Sequence, residues 1–145
     1  MLKKLSVILF VMLAVVLNVN SSYSKNEASG VPKVNATANK KSYAPGESGY
    51  ITLHFKTSGH VKIPKDPPVM ITLNGASNDG MEDYSSESGD YINSNKVKVK
   101  FTVPSDASSG SKIKISGFVK FGYCSTDDGT CRLAKKDYSL NIKIK

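Results

Sequence analysis

The chain has 145 residues, 39% of them hydrophobic and 22% charged, with a net charge of +8 and two cysteines. That is room for one globular domain of roughly 100–150 residues and rules out a multidomain enzyme. The apolar fraction is too high for a disordered chain, and two cysteines cannot supply a four-thiolate zinc site or a multi-disulfide scaffold.

Met1-Leu2-Lys3-Lys4 is basic, residues 5–17 are almost purely apolar, and the chain turns polar from Asn18 to Ser24. This order is that of a secretory signal peptide over residues 1–24. The apolar run, about 13 residues, is short of the ~20 that a membrane crossing needs, so the mature protein is not expected to span a membrane. With no cysteine near the cleavage point, a lipid-modified N-terminus is not expected either. The protein is read as exported, to a periplasm first and to the medium as the alternative. Removing 24 of the 145 residues leaves 121, and losing Lys3 and Lys4 lowers the charge from +8 to +6. Residues 25–33, with Gly30 and Pro32, read as a flexible lead-in to a single domain over residues 34–145.

Period-two alternation dominates that domain. Short strand candidates cover residues 34–39 and 69–73. Residues 50–57 place Ile51, Leu53 and Phe55 on one face. Residues 96–103 give the cleanest case, with Val97, Val99, Phe101 and Val103 inward and lysines outward. A third run starts at Lys112-Ile113-Lys114-Ile115 and continues through Phe118, Val119 and Phe121. The chain closes on Leu140, Ile142 and Ile144. Such alternation marks strands with one face on a core and one in water. Turn pairs such as Pro45-Gly46, Asn74-Gly75 and Ser88-Gly89 separate the runs. Six or seven short strands without helical spacing predict an all-β, immunoglobulin-like β-sandwich. Residues 76–89, rich in Ser, Asp and Glu, are expected to be the longest loop.

Lys96, Lys98, Lys100, Lys112, Lys114, Lys143 and Lys145 fall on outward positions. They read first as solvated faces that discourage edge-to-edge pairing, and second as a surface for a polyanion. Nucleic acid is not expected as a partner, because the aromatic residues point mostly inward and the chain is exported. His54 lies outward on its strand and His60 in a turn after Gly59. Either could in principle join Asp66, Asp79 or a cysteine at a metal, but no ligand spacing links them, so no metal and no cofactor is expected. No nucleophile elbow or phosphate-binding glycine loop occurs.

The remaining constellation is Phe121-Gly122-Tyr123-Cys124-Ser125-Thr126-Asp127-Asp128-Gly129-Thr130-Cys131-Arg132. In an exported chain a close cysteine pair is a disulfide by default. Partners across an antiparallel hairpin share a constant index sum, and Cys124 and Cys131 give 255. A two-residue Asp128-Gly129 turn gives 257 and sets Cys124 opposite Leu133. A loop over residues 126–129, with Asp127-Asp128 at the turn and Gly129 at positive φ, sets the cysteines opposite one another. Both turns suit the residues; the second also brings the two Cβ atoms to a bonding separation. Asp127 and Asp128 disfavour a thiolate here, whereas Arg132, Lys135 and Lys136 favour it.

From about Ala44 onward the chain resembles the N-terminal periplasmic domain of the thiol:disulfide interchange protein DsbD. The resemblance rests on Pro45-Gly46, on Gly59-His60-Val61 with the prolines after it, on Val103-Pro104 with Ala107 and Gly110, and on the Tyr123-Cys124…Cys131 hairpin. It implies an immunoglobulin-like domain whose two cysteines, here Cys124 and Cys131, cycle between dithiol and disulfide. They would take electrons from a membrane-embedded donor and pass them to oxidised extracytoplasmic proteins. The hairpin departs from the family pattern in having six residues rather than five between the cysteines, and Arg132-Leu133-Ala134 where prolines usually follow. The family's aromatic cap over the disulfide has no assigned counterpart in Tyr84 or Tyr91. The expectation is an exported exchange domain working through Cys124 and Cys131. The alternative is a non-enzymatic binding module with a structural hairpin disulfide, and an exported metal carrier comes third.

Overall fold

A computed structural model of the chain describes residues 30–86 and 88–145. The predicted leader and most of the lead-in fall outside that span; Pro32 at its near end is buried and Lys33 already opens the first strand. Nine strands follow: β1 (Lys33–Ala38), β2 (Ser42–Tyr43), β3 (Ser48–Lys56), β4 (Val61–Lys62), β5 (Met70–Ile71), β6 (Ser77–Met81), β7 (Lys96–Thr102), β8 (Lys112–Ser125) and β9 (Cys131–Ile144). Among the described residues there is no α-helix.

The strands form two sheets, ordered β1-β3-β7-β6 and β2-β9-β8-β4, with β5 pairing β8 beyond β4. β2 runs parallel to the end of β9; the other pairings are antiparallel. This is the strand order of an immunoglobulin-type sandwich, with β2 as the part of the first strand that has crossed to the opposite sheet. The all-β sandwich expected from the alternation is the fold.

Side-chain periodicity explains the layering. On β3, Ile51, Leu53 and Phe55 are buried while Tyr50, Thr52 and His54 turn outward. On β7, Val97, Val99 and Phe101 are buried and Lys96, Lys98 and Lys100 are exposed. The sheets meet through aromatic contacts. Phe55 and Phe121 lie with ring centroids 4.7 Å apart, and Tyr43 meets Phe101 edge-on at 5.2 Å. Phe55 and Phe121 belong to the two strands that an immunoglobulin domain joins by its inter-sheet disulfide.

One expectation needs correction. Residues 76–89 are not one long loop, because β6 lies within them and forms the sheet edge beside β7. Its sequence, Ser-Asn-Asp-Gly-Met, leaves four of five residues exposed, so no alternation announces it. Backbone pairing to β7 holds it in place, as do the Thr102 hydroxyl, which donates to Asp79 at 2.6 Å, and the Glu82–Lys98 ion pair at 3.0 Å. The strands are also not uniformly short, since β8 and β9 each run for 14 residues.

Where β5 ends, it presses against the β8–β9 ladder with almost no clearance. Gly117 stands opposite Tyr138, and a Cβ at Gly117 would lie 2.0 Å from the Thr72 carbonyl oxygen. The Tyr138 hydroxyl donates to that same oxygen at 2.7 Å, and burial pushes its pKa up to about 12. Gly117→Ala must push the chain at Thr72 off the sheet and should destabilise the fold by about 2 kcal/mol in urea unfolding, as overpacking usually does. An unchanged midpoint would contradict the close approach. A free tyrosine ionises near pH 10, so from there to about pH 12 the unfolded chain holds fewer protons than the folded one and stability falls as pH rises. Tyr138→Phe should cost about 1 kcal/mol at neutral pH for the lost hydrogen bond, and should also flatten that alkaline decline. Identical slopes in the two proteins would remove Tyr138 as its source.

Candidate functional site

The β8–β9 hairpin keeps one register over its whole length. Thirteen pairs run from Lys112 opposite Lys143 to Cys124 opposite Cys131, all with the index sum of 255. The loop is therefore residues 126–129, as expected for a cross-strand disulfide. Ser125 N–H donates to the Thr130 carbonyl at 2.9 Å and closes it. Gly129 takes φ +68°, the left-handed region that favours glycine. Asp128 accepts from the Thr130 N–H at 3.0 Å and from its hydroxyl at 2.8 Å, and these bonds hold its carboxyl below the usual range.

The hydrogen-bonded Ser125–Thr130 pair makes the next pair, Cys124–Cys131, a non-hydrogen-bonded site, where side chains stand closest together. The two cysteines form a disulfide, with Cα atoms 4.0 Å apart. They differ in access: Cys124 is 5% exposed, whereas Cys131 is exposed to solvent. Cys124 belongs to the inner strand of the pair, with β4 on its other side and Lys62 opposite. Cys131 belongs to β9, whose far side meets β2 only at Lys143 and Ile144.

Outside the core, the sheet face around the disulfide is arranged in rows. Lys62, Cys124 and Cys131 make one row across β4, β8 and β9. In the next, Gly122 stands opposite Leu133, and the chain at Pro64 bridges to Tyr91. A Cβ on Gly122 would lie 3.1 Å from Pro64 Cγ and 3.4 Å from Pro67 Cδ, so the missing side chain is what seats the proline segment on the sheet. The row beyond holds Met70, Lys120 and Lys135. Lys62 Nζ lies 5.2 Å from the Tyr91 ring centroid, and Lys135 Nζ lies 4.0 Å from that of Phe118.

On the other side of the hairpin tip, the turn after β3 grips the loop. Thr126 N–H donates to the His60 carbonyl at 2.8 Å, and His60 Nδ1 lies 2.9 Å from Asp127 Oδ1. An open cleft of about 340 Å³ lies there, bordered by His60, Tyr123, Thr130 and Arg132. His54 is elsewhere, on the outer face of β3, with Nε2 3.0 Å from the Thr37 hydroxyl. The two histidines are thus not brought together. Among the described residues no group of three His, Cys, Asp or Glu side chains is placed to hold a metal ion.

Sequence reasoning found the cysteines, the loop and the turn glycine. It missed Leu133 and Met70, which with Tyr91, weighed there only as a cap, are the large apolar side chains left exposed among the described residues. Leu133 was within reach, because it lies two residues from Cys131 on one strand and must share its face. Tyr84, the other aromatic weighed, is placed elsewhere and accepts the Val69 N–H on its hydroxyl at 2.7 Å.

No protein-family model matches the chain, and no curated protein matches it in sequence. Among the described residues no helix is long and apolar enough to cross a membrane.

The asymmetry of the pair predicts unequal chemistry. In the reduced protein, alkylation under native conditions should modify Cys131 at least about tenfold faster than Cys124, as peptide mapping by mass spectrometry would read. Equal rates would mean that Cys124 is not shielded.

Proposed function

We propose that this protein is an exported thiol:disulfide exchange domain that passes reducing equivalents through Cys124 and Cys131 to oxidised extracytoplasmic proteins. One observation carries the reading: an exposed cysteine is bonded to a buried one at the rim of the sandwich, in a row continuous with exposed apolar surface. Exchange needs one sulfur that a partner can reach and a second, held behind it, to resolve the mixed disulfide. The resemblance of the hairpin and its flanking motifs to the N-terminal domain of DsbD points the same way.

Cys131 takes the attacking role by access. In the dithiol state its thiolate attacks one sulfur of a partner's disulfide, forming the mixed disulfide and releasing the partner's second thiolate. The Cys124 thiolate then attacks Cys131 Sγ and expels the partner's first sulfur as a thiolate. Two electrons have moved to the partner, and the intramolecular bond is restored. Return to the dithiol takes two electrons from a donor, which we assign to a membrane-embedded thiol–disulfide protein. Charged side chains lie on both sides of the pair. Asp127 is engaged by His60, whereas Lys62 lies across from Cys124 in its own row.

The bond is a weak staple in comparison. Closing so short a loop contributes roughly 2.5 kcal/mol in the chain-entropy estimate, and the fold has an aromatic and aliphatic core of its own. The Cys124→Ser, Cys131→Ser double variant should therefore fold, with stability lowered by about that amount, and lose exchange entirely. The decisive measurement is the reduction potential of the pair, by equilibration with a thiol buffer and alkylation. Structural disulfides of secreted proteins lie below about −300 mV, and a value well above that is expected here. A bond that yields only when the sandwich unfolds would make it structural and leave a binding module as the reading.

A further inference from the structure

We infer that the partner's cysteine-bearing segment binds as an added β-strand along residues 131–135. It would place an apolar side chain two residues from its cysteine against Leu133, and an acidic side chain four residues from it against Lys135, toward Lys120. The inference rests on the exchange reading above and goes on to specify what the partner segment looks like.

The first support is the backbone. Cys131, Leu133 and Lys135 all occupy non-hydrogen-bonded sites opposite β8, so their N–H and C=O groups point away from it. Among the described residues no strand pairs β9 on that side before Lys143. Among the described residues, the residue that presents the accessible sulfur therefore also presents backbone hydrogen-bonding groups that no strand pairs. An extended segment that pairs there holds its own cysteine beside Cys131, in the manner of edge-strand recognition.

The second support is the face. Cys131, Leu133 and Lys135 alternate onto the same outer surface at about 6.8 Å intervals. Leu133 is 76% exposed and Met70 62%, beside a groove of about 350 Å³ that Pro67 and Pro68 close on one side. Side chains of this size are ordinarily covered, and here they lie together within two rows of the disulfide. The third support is charge. Lys120 and Lys135 stand opposite each other at the end of the groove, and Lys62 flanks the disulfide row. Asp66 borders the recess between Pro64 and Leu133 near Cys131. Lys135 leans over the ring of Phe118 in the next row, so its ammonium lies at the end of the groove away from Leu133. An extended segment with apolar and acidic side chains in alternation complements this surface, and a basic one is repelled.

The test uses the reduced mature protein and two synthetic peptides, each with one cysteine carried as its mixed disulfide with thionitrobenzoate, whose release is read by absorbance. One peptide has Leu two residues and Glu four residues from the cysteine on both sides, so either strand direction is satisfied. The other has Ser and Lys at those positions. Hydroxyethyl disulfide, too small to use the groove, serves as the control for exchange itself. The first peptide should react about tenfold faster than the second, and Leu133→Ser should abolish most of that preference, each peptide rate being read as a ratio to the same protein's rate with hydroxyethyl disulfide. Equal rates for the two peptides, or a preference that survives Leu133→Ser, would overturn the docking site. A protein inert to hydroxyethyl disulfide would instead overturn the exchange reading. In that case the serine form of the first peptide decides the docking question. Amide shifts confined to residues 131–135 support the added strand, and their absence refutes it.

Discussion

The unbroken pairing of β8 with β9 is the constraint on which the rest of the molecule depends. Thirteen consecutive pairs share one register, so every side-chain position on the hairpin follows from any one of them. Ile115, Val119, Phe121 and Tyr138 face inward because of it, and with them goes the core contact between Phe121 and Phe55. The same register brings Cys124 opposite Cys131. A slip of one residue would turn the whole set to the other face and separate the cysteines at once. The core and the disulfide thus specify the same alignment from opposite ends of the ladder, and neither can be misplaced without the other.

That alignment also explains how the outer face is divided. Gly122 has no side chain, so the prolines after β4 settle onto the sheet at that point and cover the inner strand of the hairpin. No equivalent cover reaches β9 among the described residues, where Leu133 and Cys131 remain exposed. The burial of one cysteine and the exposure of the other are therefore consequences of strand order. Cys124 lies between two neighbouring strands, and Cys131 lies on an edge.

Much of this was legible in the sequence wherever one face of a strand is buried. β3 and β7 announced themselves by strict alternation, and the hairpin loop followed from index arithmetic once a disulfide was required to span it. What stayed hidden lacks that signal. β6 is an edge strand with four exposed residues, recognisable only through the neighbour that holds it. The first half of β9, Arg-Leu-Ala-Lys-Lys-Asp after the cysteine, reads as polar because its outer face is exposed and its inward positions carry only Ala134 as an apolar side chain. The proline segment carries no such signal either, since nothing in residues 64–68 states what they lie on. The one available clue was Gly122, placed outward in a strand that needs no glycine for its backbone.

Lysines stand directly opposite lysines at three places in the two sheets: Lys33 with Lys56, Lys112 with Lys143, and Lys120 with Lys135. Directly opposed like charges in a sheet repel, and dissolved ions screen that repulsion, with a Debye length of about 10 Å at 0.1 M ionic strength. Salt therefore relieves these three rungs while it weakens the Glu82–Lys98 attraction that helps hold β6, so the hairpin and the sheet edge respond to it in opposite directions. One of the three adjoins the row of Leu133, so ionic strength acts on the neighbourhood of the disulfide as well as on the fold.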